Sequence, residues 1–80
     1  MPIRKDRAGG AAFARRLIAL RTAAGLTVHQ AADRIEMPAG QWYSYEEGRK
    51  VPLYRNACRL ARALGVRVDE LEADHGSARA

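Results

Sequence analysis

Residues 25–52, GLTVHQAADRIEMPAGQWYSYEEGRKVP, read as two short helices joined by a tight turn and closed by a basic loop. Thr27 and Gln30 have the spacing of a capping box, in which the threonine hydroxyl and the glutamine amide each satisfy a main-chain donor of the first turn. A helix is therefore predicted from Thr27. It places Ala31, Ala32 and Ile35 on one side and is predicted to end near Glu36, because Pro38 biases Met37 away from helical angles. The second helix is predicted to begin at Pro38, since proline fits where its missing N–H would have had no partner. Trp42 and Tyr45, three apart, give that helix an inner face, and Gly48 supplies a left-handed stop.

Outward from this segment the same grammar repeats. Phe13, Leu17, Leu20 and Ala24 recur every three or four positions, which predicts an amphipathic helix from Ala11 to about Ala24, stopped by Gly25. Downstream of Pro52, Ala57, Leu60, Ala61 and Leu64 repeat the pattern and Gly65 ends it. A short last helix is predicted from Val68 to about Ala73, with Asp69 and Glu70 in a first turn whose dipole favours acids and Leu71 docking on the core. No stretch alternates apolar and polar residues, so the expected class is all-α with five helices. The expected organisation is a flexible basic arm over residues 1–10, MPIRKDRAGG, a folded domain over 11–74, and a flexible tail over 75–80.

Composition bounds the function. The chain has 80 residues, enough for one small core, and carries a net charge of +5, which favours a polyanion such as nucleic acid or an acidic protein surface. No apolar run approaches the roughly 20 residues that span a bilayer, and no basic-then-apolar leader opens the sequence, so no membrane association and a cytoplasmic location are expected. Cys58 stands alone and, beside Ala57 and Ala61, reads as an inert small hydrophobe. His29 lies on an outer helix face and His75 in the tail, neither beside a nucleophile or a carboxylate pair; one cysteine and two distant histidines do not build a zinc site, and Gly9-Gly10 is followed by no lysine-serine phosphate motif. No catalytic residue, metal, cofactor or small-molecule ligand is read from the chain, and it is not expected to be an enzyme.

The residues Leu17, Leu20 and Arg21, then Gly25-Leu26-Thr27, Ala32, Glu46, Gly48-Arg49, Pro52, Leu60-Ala61, Ala63-Leu64-Gly65-Val66 and Asp69-Glu70-Leu71 occur in one register without a gap. In this series the chain resembles the lambda repressor and Cro-like helix-turn-helix domains, the xenobiotic-response-element type, from about Phe13 to Leu71. The resemblance implies five helices, with the one near 38–47 lying in the major groove of double-stranded DNA and the preceding one bracing it across the backbone.

It also implies roles for single residues. Arg21 and Glu46 stand where the family forms an ion pair inside the domain, which suits the bidentate fork of arginine. The base-reading face corresponds to Pro38, Ala39, Gly40, Gln41, Tyr43 and Ser44, and here Ala39 and Gly40 carry no polar side chain. Gln41 can pair with adenine, Ser44 can bond a base or phosphate, Tyr43 can reach a phosphate or stack on a methyl, and Ala39 can pack on a thymine methyl. Phosphate contacts are expected from Thr27 and Val28 at the start of the first of the two helices, where main-chain N–H groups suffice, and from Arg49, Lys50 and Arg55. Arg59 and Arg62 continue the stripe of Arg55 but are expected on a solvated face. Glu36 stands where the turn commonly has glycine, so left-handed angles or an altered turn are expected there.

The reading at this level is a transcriptional regulator, a repressor acting as a homodimer on a palindromic operator, with Val66, Val68 and Leu71 available either to the dimer surface or to the core. The alternative is a protein-interaction module of the same fold, such as an antitoxin or regulatory subunit whose partner is a toxin. Joint exposure of Trp42 and Tyr43 would favour that alternative.

Overall fold

The structure, a computed structural model, describes residues 3–71, with side chains from residue 10 onward. Five helices follow in chain order: α1 (Ile3–Ala23), α2 (Val28–Arg34), α3 (Ala39–Glu46), α4 (Tyr54–Leu64) and α5 (Val68–Leu71). No strand occurs among the described residues, and none of their helices is long and apolar enough to cross a membrane. The tail expected to fray, residues 75–80, lies outside the described residues.

The capping box at Thr27 is present in full. The Gln30 N–H donates to Thr27 Oγ1 at 3.1 Å and the Thr27 N–H donates to Gln30 Oε1 at 2.9 Å. Pro38 is the N-cap of α3 rather than its first residue. Helix ends follow one rule. Past α1, α3 and α4, a glycine with φ of 74°, 77° and 71° respectively turns the chain, at Gly25, Gly48 and Gly65. In each case the next residue's N–H returns to a carbonyl five positions back: Leu26 to Arg21, Arg49 to Ser44, Val66 to Ala61. This is the Schellman closure of orphan carbonyls.

The same closure ends α2, with Met37 N–H to the Ala32 carbonyl at 2.9 Å and Glu36 N–H to the Asp33 carbonyl at 3.1 Å, but the residue in the left-handed region is Glu36, φ 54°. The helix consequently stops at Arg34, capped by Ile35, two residues before the predicted end. Left-handed angles cost an L-residue roughly 1–2 kcal/mol, whereas glycine adds an entropic cost on folding of roughly 0.5–1 kcal/mol. Glu36→Gly is therefore expected to raise the melting temperature by a few degrees in a thermal unfolding scan, about 4–8 °C for each kcal/mol gained in a domain this small.

The first helix departs from expectation at its start. Its backbone is helical from Ile3, through the segment read as an arm, and Gly9-Gly10 is not a break. A long-range contact accounts for glycine at position 10: Gly10 is buried, and a Cβ there would lie 3.1 Å from the Gly48 carbonyl oxygen and 3.7 Å from Val51 Cγ2. Gly10 lets α1 lie directly against the loop that follows α3.

Apolar faces of all five helices meet in one core. Phe13 and Leu17 come from α1, Ala31 and Ala32 from α2, Trp42 and Tyr45 from α3, Leu60 and Leu64 from α4, and Leu71 from α5. Trp42, Leu17, Leu60 and Leu71 are its largest fully buried side chains. Ala24 is exposed, one residue beyond the end of α1. Leu71 is consumed by the core, so of the three residues considered for a dimer surface only Val66 and Val68 retain partial exposure, and both pack on the core edge. Two arginines tie α2 to α4: Arg34 donates to the Ala63 carbonyl at 3.0 Å and Arg59 to the Ile35 carbonyl. Arg59 therefore serves the end of α2 instead of standing on a solvated face, while Arg62 is exposed as expected.

Candidate nucleic-acid interface

The scaffold beneath the interface is a charged node at the C-terminal end of α3. Arg21 Nε lies 2.5 Å from Glu46 Oε2 and donates through Nη2 to Oε1 at 3.1 Å, while its Nη1 donates to the Leu26 carbonyl at 2.8 Å. Trp42 Nε1 adds a third donor to the carboxylate, 2.8 Å from Oε2. The side chains are only 18% and 7% exposed for Arg21 and Glu46, so neither charge is presented to an outside ligand. The hydrogen bonds that Arg21 donates to Glu46 hold its guanidinium above its ordinary pKa, against the opposing effect of burial, and it stays charged at any neutral or mildly alkaline pH. The Arg21–Glu46 pair thereby joins the end of α1, the α1–α2 turn and the end of α3.

This node fixes which side of α3 points out. Trp42 and Tyr45 are buried; Gly40 and Tyr43, three apart, are exposed; Gln41 and Ser44 are half-buried beside them. A Cβ at Gly40 would meet nothing within 4 Å, so the surface over the first turn of α3 is bare backbone. Ser44 Oγ donates to the Gly40 carbonyl at 3.2 Å, holding the hydroxyl close to the helix. The Tyr43 ring stands edge-on to His29, with centroids 6.4 Å apart, and so places the outer side of the first turn of α2 beside the outward face of α3.

Two of the expected contact residues turn their side chains inward. The Val28 side chain is buried in the core, leaving only its main-chain N–H for a phosphate. Ala39 is half-buried and packs on the core, which withdraws most of its methyl from a base edge. Both follow from helix register: Val28 shares a face with Ala31 and Ala32, and Ala39 with Trp42. Thr27 is exposed, but its hydroxyl oxygen already accepts the Gln30 N–H of the capping box.

Beyond α3 the chain turns basic. Arg49, Lys50 and Arg55 are exposed. Arg49 reaches back to Glu47 Oε1, from Nε at 2.9 Å and from Nη2 at 2.6 Å, but with these side chains 69% and 51% exposed the pair is worth little and yields readily to a phosphate. Between these cations lie Val51, Leu53 and Tyr54, all exposed, with Leu53 at the N-cap of α4 where it makes no side-chain cap. An aliphatic residue cannot accept the N–H that serine or aspartate would take there. Sequence reading passed over these three because they belong to no helical period; the missing cap residue before Tyr54 was the available signal. The other side chain it missed is Asn56, whose Nδ2 donates to Tyr45 Oη at 3.3 Å and ties the first turn of α4 to α3.

A family model described as a helix-turn-helix domain matches residues 12–73, most of the chain. No match is found among curated proteins or among solved structures.

Proposed function

Since this chain belongs to the helix-turn-helix domain family, we propose that it is a sequence-specific regulator of transcription that binds double-stranded DNA, a repressor that occupies a palindromic operator as a homodimer. The observation that carries this reading is the outward side of α3. An exposed strip of Gly40 and Tyr43 flanked by half-buried Gln41 and Ser44 is followed along the chain by the exposed cations Arg49, Lys50 and Arg55. A helix of this width enters a major groove, and cations at its end meet the phosphates that border it. The bare first turn at Gly40 allows close approach, so base reading rests on Gln41 and Ser44 with a contribution from groove shape. A domain of this size makes few base contacts, and two copies on half-sites one helical turn apart multiply them.

Five or six phosphates neutralised across a dimer give a log-log dependence of affinity on salt with a slope of about −5. Replacing Arg49 and Lys50 together by alanine is expected to weaken binding to duplex DNA at least tenfold at moderate salt and to bring that slope to between about −1 and −2. Fluorescence anisotropy with a labelled duplex over a salt series reads both. An unchanged slope in the double variant would remove the loop from the interface.

A second reading, a surface for a protein partner such as a toxin, is favoured by Val51, Leu53 and Tyr54, whose exposure of 60%, 78% and 66% is high for such large apolar side chains. Trp42, however, is fully buried, so the aromatic pair that would have supported a protein interface on α3 is reduced to Tyr43. DNA binding is therefore the reading preferred for α3.

A further inference from the structure

Resting on the DNA-reading role of α3, we propose that Tyr45 is a positioning residue for base recognition: its hydroxyl, tied to Asn56, holds the Gln41 amide in the orientation that reads one base of each half-site. The Tyr45 ring is 4% exposed and its place is set by core packing, so its hydroxyl is a fixed point at the margin of the interface. Gln41 Nε2 donates to that oxygen at 3.1 Å from one turn earlier on the same helix, and Asn56 Nδ2 donates at 3.3 Å from the first turn of α4. Both bonds use the phenolic oxygen as the acceptor.

The consequence falls on Gln41. A glutamine on a helix surface is rotamer-rich and pays in ordering when it meets a base. Here one N–H is already committed to a fixed partner, and the amide retains one further N–H and a carbonyl oxygen. That is the set an adenine edge requires, a donor for N7 and an acceptor for the N6 amino group. Asn56 follows Arg55 directly, so the bond that steadies the reading side chain also ties α3 to the helix turn that carries a phosphate-facing cation. Core packing alone does not call for this hydroxyl, because phenylalanine fills the same space.

The test is selection of preferred sequences from a randomised duplex pool by four proteins: the wild type, Gln41→Ala, Tyr45→Phe and Asn56→Ala, each with its melting temperature. Gln41→Ala is expected to flatten base preference at one position per half-site, by about fivefold or more. Tyr45→Phe is expected to weaken preference severalfold at that same position and nowhere else, with little change in melting temperature, and Asn56→Ala to act there more weakly. Preference kept or sharpened at that position in Tyr45→Phe would overturn the proposal, as would a loss spread evenly over the motif alongside a lowered melting temperature, or Gln41→Ala changing no position. A wild type that selects no motif would overturn the DNA-reading role itself and this proposal with it, whereas a wild-type motif that survives intact in Tyr45→Phe would overturn this proposal alone.

Discussion

Trp42→Ala is expected to remove about half or more of the stability of the protein. Trp42 is fully enclosed and stands on α3 within the cluster that also holds Leu17, Leu60 and Leu71, so its removal opens a cavity where the helices converge. Truncating a buried tryptophan to alanine costs about 3–5 kcal/mol, and a domain of this size has a total stability of about 3–9 kcal/mol at the usual allotment per residue. The indole N–H is lost as well, which leaves Glu46 Oε2 one donor short. Far-ultraviolet circular dichroism against urea reads the result: a midpoint lowered to about half the wild-type value or less is expected for Trp42→Ala. Trp42→Phe fills most of the volume and is expected to remain folded with a reduced midpoint. A Trp42→Ala protein that unfolds at the wild-type midpoint would contradict the placement of this side chain.

Glu46→Ala is expected to lower the melting temperature by about 10–20 °C while leaving the DNA affinity of the folded protein within about threefold. Deleting the carboxylate strands the Arg21 guanidinium and the Trp42 indole N–H in a site with little solvent. Removing one member of a buried pair costs about 3–5 kcal/mol; the partial exposure of Arg21 places this case near the lower end, and about 4–8 °C of melting temperature accompanies each kcal/mol in so small a domain. Glu46→Gln keeps the side-chain shape and one acceptor oxygen but loses the charge and the other acceptor, so its loss should be smaller. A double-mutant cycle with Arg21→Ala isolates the coupling between the two residues: the double variant is expected to lose much less than the sum of the two single losses, because each single variant leaves the other residue stranded. An unchanged melting temperature in Glu46→Ala would count against the node, and a selective loss of DNA affinity would move Glu46 into the interface.

The helices themselves were largely legible because their signals are local. Thr27 with Gln30 announces the start of α2, and Gly25, Gly48 and Gly65 mark three ends, each through main-chain geometry that only neighbours in sequence decide. The Arg21–Glu46 pair spans 25 positions and has no local signal; it was reached through family resemblance and then found at bonding distance. The left-handed Glu36 came by the same route. What escaped reading was tertiary. Gly10 reads as a helix breaker until the Gly48 carbonyl is seen against it, and Arg59 reads as solvated until the Ile35 carbonyl is found within its reach.

The face of α3 divides in the same manner. Trp42 and Tyr45 as inward residues follow from spacing, and the same register, Val28 with Ala31 and Ala32 and Ala39 with Trp42, turns inward two residues that the resemblance had assigned to DNA. The hydroxyl of Tyr45 could not be assigned a partner from sequence, since Asn56 lies on the next helix, eleven residues on. Exposed Leu53 at an N-cap breaks a local rule with no local compensation, the kind of departure that marks a functional or strained site rather than a folding requirement.

Selection from a randomised duplex pool at two salt concentrations tests most directly whether α3 reads DNA sequence. The expected result is a palindromic motif with half-site centres about 10 base pairs apart, recovered at both concentrations, with total binding falling steeply as salt rises. Recovery of no motif at either concentration, or binding indifferent to salt, would contradict the account and transfer the outward face of α3 to a protein partner.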